Sequence, residues 1–468
     1  MVRFIDRDVE MAFLEERYAS DRFEFLVLYG RRRVGKTELL RQFVEGRPHV
    51  YFLADKGGTG RNALRLRREM AEALGRPEVA TEEMDELFTW FVDEAKGRPL
   101  IVIDEFPYLV EKDDSIPSVL QRIIDQTLST TRTMLVLCGS SEGMMERTVL
   151  GARSPLYGRR TGHWKVLPMT FADACGFFPG TPVERCIEHY SVLGGVPHYL
   201  QRFSGDASTV ENAEREIMSR TGSLYEEVDF LLREELREPD VYKAILESIG
   251  AGKARAGEIA DASRVPVHDI DKYLKTLARL GVVERFCSVS KGLKSWHTRY
   301  RLADPLFRFW FTFCEVHKSD LELGQTARCR KAVVEGFPSF VGQAFEPMCR
   351  ALIAGEFPGR WPELGPWWGA TRENGERVEL EIDMVGLNGS TGEVLLGECK
   401  WSRDVDGERV LSDLRAKAAH VDWMSKDRRE VYILFGRSFK KRPSGKDVMT
   451  FDIEDIRAMI EGRDSAKD

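Results

Sequence analysis

A chain of 468 residues is longer than one hydrophobic core can serve, roughly 250–300 residues, so several domains are expected, about three at ordinary domain size. Its 43% hydrophobic and 31% charged residues exclude wholesale disorder. The net charge of −7 excludes a basic field over the whole molecule, and no apolar run approaches the ~18 residues of a membrane span.

The first residues, Met1-Val-Arg-Phe-Ile-Asp-Arg7, carry charge where a secretory signal needs an apolar segment. Eight cysteines (138, 175, 186, 287, 314, 329, 349 and 399) include no Cys-x-x-Cys pair, which argues against a zinc site or a disulfide framework. A reduced, cytoplasmic protein with no membrane partner is predicted.

In the first third, apolar runs at Phe25–Tyr29, Val50–Leu53, Leu100–Ile103 and Met134–Cys138 alternate with amphipathic stretches such as Thr37–Val44 and Ala63–Leu74. This pattern predicts an α/β fold with a parallel sheet covered on both faces. Gly30-Arg-Arg-Arg-Val-Gly35-Lys36-Thr37 fits G-x-x-x-x-G-K-[ST] and lies between a strand and a helix, as a phosphate-binding loop must. Its glycines let backbone amides face phosphates, and the helix N-terminus adds favourable partial charge. Gly30, Arg33, Val34, Gly35 and Glu38 are counted with the nucleotide-binding residues. Lys36 is assigned to the β- and γ-phosphates of ATP, and Thr37 to Mg²⁺. The strand Leu100–Ile103 ends in Asp104, assigned to the Mg²⁺ shell, and Glu105, assigned to the attacking water. The next strand ends in Gly139-Ser140, whose hydroxyl is placed to sense the γ-phosphate or to cap a helix.

From Val166 to about Arg237 helical patterns dominate and predict a lid subdomain. Phe4-Ile-Asp-Arg7, the phosphate loop, Ile103-Asp-Glu-Phe106, Cys138-Gly-Ser-Ser141, Ser154-Pro-Leu-Tyr-Gly-Arg159 and Gly194-Gly-Val-Pro197 occur in this order. Over about residues 1–232 the chain resembles the archaeal-type P-loop ATPases, near the AAA+ and STAND groups. The resemblance implies that Phe4–Arg7 and Pro197 lie near the adenine and that Arg159 approaches the phosphates. By spacing alone, Gly194–Pro197 is a turn and Arg159 one of many surface arginines.

Residues 240–302 predict helices at Val241–Ile249, from near Ala256, and at Asp269–Leu280, then strands at Val282–Val289 and Trp296–Leu302. This is the layout of a winged helix-turn-helix, and twelve basic against seven acidic residues suit a DNA partner. Lys272, Lys275 and Arg279 fall on one helical stripe, with Lys291 and Lys294 on the wing. The aromatic residues of Phe307–Phe313 are read as core. Trp367-Trp368 is read as packing ahead of base stacking.

Further on, Val378-Glu-Leu-Glu-Ile-Asp383 alternates acid and apolar residues, placing Glu379, Glu381 and Asp383 on one strand face. The turn Asn388–Gly392 makes a hairpin with Glu398-Cys-Lys400 and sets Asp383 opposite position 397 or 398. A helix at Val410–Trp423 and a strand at Glu430–Phe435 follow. Two carboxylates that bind a divalent cation beside a lysine suit phosphodiester hydrolysis. This arrangement resembles the Asp…Glu-x-Lys of the PD-(D/E)xK nuclease superfamily. From about residue 300, Phe345-Glu346, Trp367-Trp368, Glu381-Ile-Asp383 and Gly397-Glu-Cys-Lys400 resemble a nuclease-like domain of unknown function often fused to such ATPases. The resemblance implies catalytic roles for Asp383, Glu398 and Lys400, metal ligation by Asp383 and Glu398, an assisting acid at Glu346, and a weaker contribution from Lys417.

The expected modules are thus an ATPase core (1–165), a helical lid (166–232), a winged helix-turn-helix (233–303) and a small α/β nuclease-like domain with its connecting helices (304–468). Two functions fit: an ATP-regulated DNA-processing or defence enzyme, and a nucleotide-dependent switch whose inactive nuclease-like domain binds DNA or a protein. Either admits a homo-oligomer.

Overall fold

Strands with apolar residues at successive positions bury both faces, so the sheet they form needs cover on each side. The structure is a computed structural model that describes residues 4–5, 7–289, 298–373, 376–425 and 427–465. The chain divides into two compact units, residues 1–169 with 196–198, and residues 170–195 with 199–468.

In the first unit, β1 (Glu24–Tyr29), β2 (His49–Leu53), β3 (Leu100–Asp104), β4 (Met134–Gly139) and β5 (Gly162–Lys165) form one sheet in the order β2-β3-β4-β1-β5. Every neighbouring pair is parallel. Alternate residues build two cores. Phe25, Val27, Ile101, Ile103, Leu135 and Leu137 pack with Leu66, Met70, Leu87 and Phe88 of two helices. Leu26, Leu28, Val102 and Val136 pack with Leu39, Leu40 and Phe43 of the helix Lys36–Val44. The four apolar runs are therefore β1 to β4. Strand β5 escaped the sequence reading because Gly162-His-Trp-Lys165 is a four-residue edge strand with no apolar run.

The helices expected as a lid, from Phe171–Cys175 to Glu227–Glu235, belong to the second unit. There Val183–Leu193 packs against Pro305–Phe309 and the long helix Ala327–Glu356. Three helices, Pro239–Gly250, Ala256–Ser263 and Val267–Arg279, precede an antiparallel pair, β6 (Val283–Cys287) and β7 (Thr298–Leu302). Lys291 and Lys294, expected on the wing, lie outside the described residues. Phe307, Phe309, Trp310, Phe311 and Phe313 are buried, as core residues should be.

The second unit also holds a mixed sheet of β8 (Glu363–Glu373), β9 (Glu376–Asn388), β10 (Glu393–Lys400), β12 (Arg429–Gly436) and β14 (Val448–Phe451), ordered β14-β12-β10-β9-β8. Strand β9 runs antiparallel to β8 and β10, whereas β10, β12 and β14 are parallel. The short strands β11 (Val405–Asp406) and β13 (Phe439–Lys441) pair separately. The helix expected at Val410–Trp423 runs instead from Gly407 to Ala418. Asp406 caps its start, and Arg428 donates to the carbonyls of Ala418, Val421 and Trp423, which closes its end early. Phe345 of the long helix meets Trp401 and Phe435 across the sheet face, with ring centroids 5.1 and 6.3 Å away. Phe345→Ala should destabilise the second unit by about 3–5 kcal/mol, read from the urea dependence of its unfolding.

Candidate functional site

The phosphate loop depends on backbone that most residues avoid. Gly30 has φ +148°, and a Cβ there would lie 2.3 Å from the Val166 carbonyl oxygen, so only glycine fits. Arg33 (φ +67°) and Gly35 (φ +95°) are left-handed just before the helix Lys36–Val44 begins. Such a curl at a helix start gathers amide groups around an anion. Lys36 is buried and its Nζ donates to the carbonyls of Gly30 and Arg31 at 2.7 and 2.9 Å. Burial pushes its pKa down, with Cys138, Glu105 and Asp104 opposing.

Asp104 is 1% exposed, and such a carboxylate is tolerable only when hydrogen-bonded. Its Oδ2 accepts from Thr37 Oγ1 at 2.9 Å and from the Tyr51 hydroxyl at 2.7 Å, while Oδ1 accepts the Glu105 amide at 2.9 Å. Burial, then the Asp104 charge, pushes the Tyr51 phenol pKa far up. Hydroxyl and carboxylate oxygens side by side are the hard donors that Mg²⁺ takes, so Thr37 and Asp104 fit that ion. Glu105 itself is left-handed (φ +52°) at the strand tip.

The remaining nucleotide residues divide. Ser140 Oγ, expected to sense the γ-phosphate or to cap a helix, donates to both oxygens of Glu105, at 3.0 and 2.8 Å. Arg7 is buried, donates to the Val34 carbonyl at 2.7 Å and pairs with Glu10, which ties the amino-terminal segment to the loop. Val34 is core, and Glu38 is exposed on the first helical turn. Phe4 is partly buried against the core on the Lys36–Val44 side of the sheet. Pro197 lies over Gly35, 3.7 Å from where a Cβ would be. Arg159 differs from what the resemblance implied. Its guanidinium is bidentate on Asp125 at 2.7 and 2.8 Å and donates to the Pro155 carbonyl, because that carboxylate offers a matched fork.

In the second unit, β9 and β10 pair as far as Met384 with Gly397, and the next step of that register sets Asp383 opposite Glu398. Glu398 is 3% exposed, and its two oxygens accept Lys400 Nζ and Lys417 Nζ, each at 2.6 Å. Lys400 Nζ is also 3.9 Å from Asp383 Oδ2, which accepts the Cys399 amide at 2.9 Å. Burial and then the Glu398 charge raise the Asp383 pKa. Burial and then Asp383 raise that of Glu346. For Lys400, burial opposes the charged form, but the Glu398 and Asp383 carboxylates together outweigh it and the pKa rises. Arg350, one helical turn after Glu346, donates to the Asp383 carbonyl at 2.5 Å. The structure thus brings Asp383, Glu398 and Lys400 together, with Lys417 a full member of the cluster. Among the described residues, no group of three or more His, Cys, Asp or Glu is arranged to hold a metal ion.

A family described as an ATPase domain predominantly from Archaea matches residues 4–203, and one described as archaeal and bacterial proteins of unknown function matches residues 310–414. An uncharacterized protein of Methanocaldococcus jannaschii is 33% identical over 460 residues, 97% of this chain and 100% of that protein. The chain belongs to this family of archaeal-type P-loop ATPases. An uncharacterized ATP-binding protein of the same organism is 43% identical over 47 residues, 10% of this chain and 80% of that protein. Among solved structures, the Walker-type ATPase of Pyrococcus abyssi is similar at 20% identity over 66% of this chain and 96% of that one, with a TM-score of 0.48. The ORC1 protein of Aeropyrum pernix, solved in complex with DNA, is similar at 20% identity over 68% and 95%, with a TM-score of 0.34. Among the described residues of this ATPase no helix is long and apolar enough to cross a membrane.

Tyr51 is the residue of the ATPase site that sequence reasoning missed. It belongs to no motif, and only the pairing of β2 with β3 sets its hydroxyl beside Asp104. Lys36→Ala should abolish ATP binding in a calorimetric titration, and wild-type affinity there would remove the assignment. Glu105→Gln should bind ATP normally and hydrolyse it about 10²–10⁴-fold more slowly in a phosphate-release assay. Tyr51→Phe should leave ATP affinity without Mg²⁺ unchanged and raise the half-saturating Mg²⁺ concentration about tenfold or more.

Proposed function

We propose that this ATPase is a DNA-processing or defence enzyme, in which nucleotide hydrolysis governs a DNA-binding winged helix and a cation-dependent nuclease-like site. The observation that carries the reading is the convergence of Asp383, Glu398 and Lys400 on adjacent strands, with Glu346 on the helix beside them. Mg²⁺ is commonly held by one or two carboxylates, its shell completed by water and phosphate oxygens, and Asp383 with Glu398 supplies that donor set. Such an ion, when bound, lowers the pKa of a water and polarises a phosphoryl oxygen. Lys400 is a compact charge within reach of both carboxylates, suited to orienting a phosphate or a water. Lys417 restrains the Glu398 rotamer from the neighbouring helix.

DNA binding is supported by the helix Val267–Arg279. Ile270, Leu274 and Leu277 are buried on it, while Lys272, Lys275 and Arg279 are exposed. Lys275 is partly spoken for by Asp271, 2.9 Å away. A second reading, a switch with an inactive nuclease-like domain, is favoured by one observation: both Glu398 oxygens already carry a lysine ammonium.

Cleavage assays on single- and double-stranded DNA with Mg²⁺ or Mn²⁺ separate the two. In the enzyme, Lys400→Ala loses cleavage with an unchanged thermal unfolding profile, and Asp383→Ala loses cation binding as well. No cation-dependent cleavage by the wild-type protein leaves the switch. In both readings, affinity for a DNA duplex should fall steeply with salt, by about 10³ or more between 50 and 200 mM if six or more phosphates are contacted.

A further inference from the structure

Strand β9 carries two acids that neither proposed site uses. Glu379 and Glu381 alternate with Leu380 and with the buried Ile382, so they project from one sheet face, separated by two strand steps or about 6.7 Å. Their side chains are 49% and 61% exposed, and their partners belong to the three-helix module. Arg299 of β7 donates to Glu381 at 2.7 Å and to Glu379 at 3.3 Å. Arg255, at the residue just before the helix Ala256–Ser263, lies 3.6 Å from Glu379. Trp368, paired with Glu381 across the β8–β9 ladder, receives the Arg299 guanidinium on its ring at 4.5 Å.

The contact extends along the hairpin. Phe286 meets the Trp368 ring edge-on at 5.6 Å, the Trp368 amide donates to Ser288 Oγ at 3.1 Å, and the Val289 amide donates to the Pro366 carbonyl at 3.0 Å. On β7, Thr298, Tyr300 and Leu302 are buried, while Arg299 and Arg301 take the other face. Arginines on such an outer face are the groups that meet phosphates when a small basic module binds a duplex. Here two carboxylates in a row meet those arginines instead.

We propose that Glu379 and Glu381 are a built-in competitor for the nucleic-acid backbone, occupying Arg255 and Arg299 until a polyanion displaces them. The inference rests on the reading of the three-helix module as DNA-binding, and it adds regulation to that reading. Exposed ion pairs are individually weak and screened by salt, so this contact sets a threshold for binding and does not lock the module shut. A DNA duplex, with many phosphates, outcompetes two carboxylates; a short or isolated phosphate group does not.

The test uses the full chain and a fluorescently labelled mixed-sequence DNA duplex at about 50 mM salt, read by anisotropy. E379Q/E381Q keeps the size of both side chains and removes their charge, and it should bind the duplex about tenfold more tightly. E82Q/E335Q removes the same charge from exposed acids elsewhere and should bind as the wild type does. Adding R299A to E379Q/E381Q should cancel the gain, with the thermal unfolding profile of each variant unchanged. Wild-type affinity in E379Q/E381Q, or an equal gain in E82Q/E335Q, overturns the competitor while DNA binding itself stands. Absence of duplex binding by every variant overturns both.

Discussion

One buried carboxylate organises the ATPase site. Asp104 has almost no access to water, and an unpaired charge in that position would cost several kcal/mol. It is satisfied by three donors from three segments: Thr37 at the start of the loop helix, Tyr51 on β2 and the amide of Glu105. Loop, neighbouring strand and Glu105 are therefore positioned relative to one charge. The same logic extends one shell outward, where Ser140 holds Glu105 from the tip of β4 and Arg7 holds the loop through Val34.

The second unit solves a related problem differently. Asp383, midway along β9, stands opposite Glu398 near the end of β10, and two like charges on neighbouring strands repel. Glu398, nearly without solvent, is neutralised by two lysines, one from its own strand and one from the helix Gly407–Ala418. Asp383 keeps a weaker set, the Cys399 amide and a distant Lys400, and its pKa rises through burial and the Glu398 charge. The two lysines leave Glu398 fully paired, whereas Asp383 keeps one oxygen on the Cys399 amide and only a long approach from Lys400.

Electrostatics on the surface follow another rule. The hairpin of the three-helix module is seated on β8 and β9 by an aromatic contact, a main-chain hydrogen bond from Val289 to Pro366 and one from the Trp368 amide to the Ser288 hydroxyl, with half-exposed charge pairs around them. Exposed pairs contribute under about 1 kcal/mol each, so the aromatic contact and the hydrogen bonds define the geometry more than the charges do.

Local sequence determined much of this protein. The loop residues Gly30, Gly35, Lys36 and Thr37, the acids closing β3, and the period-two acids of β9 act through spacing along the chain, and spacing is written in the sequence. So were the four apolar strands of the first sheet and the three helices and hairpin of the basic module. What lay beyond the sequence depends on strand order and side-chain competition. Tyr51 reaches Asp104 only because β2 is placed beside β3. Arg159 is drawn to Asp125, Ser140 to Glu105 and Lys417 to Glu398 because each finds a partner distant in the chain. The helices after residue 170 join the second unit through packing against Pro305–Phe309 and the long helix Ala327–Glu356. Residue types and intervals are local quantities, whereas the identity of a buried charge's partner is settled only when all competing groups are in place.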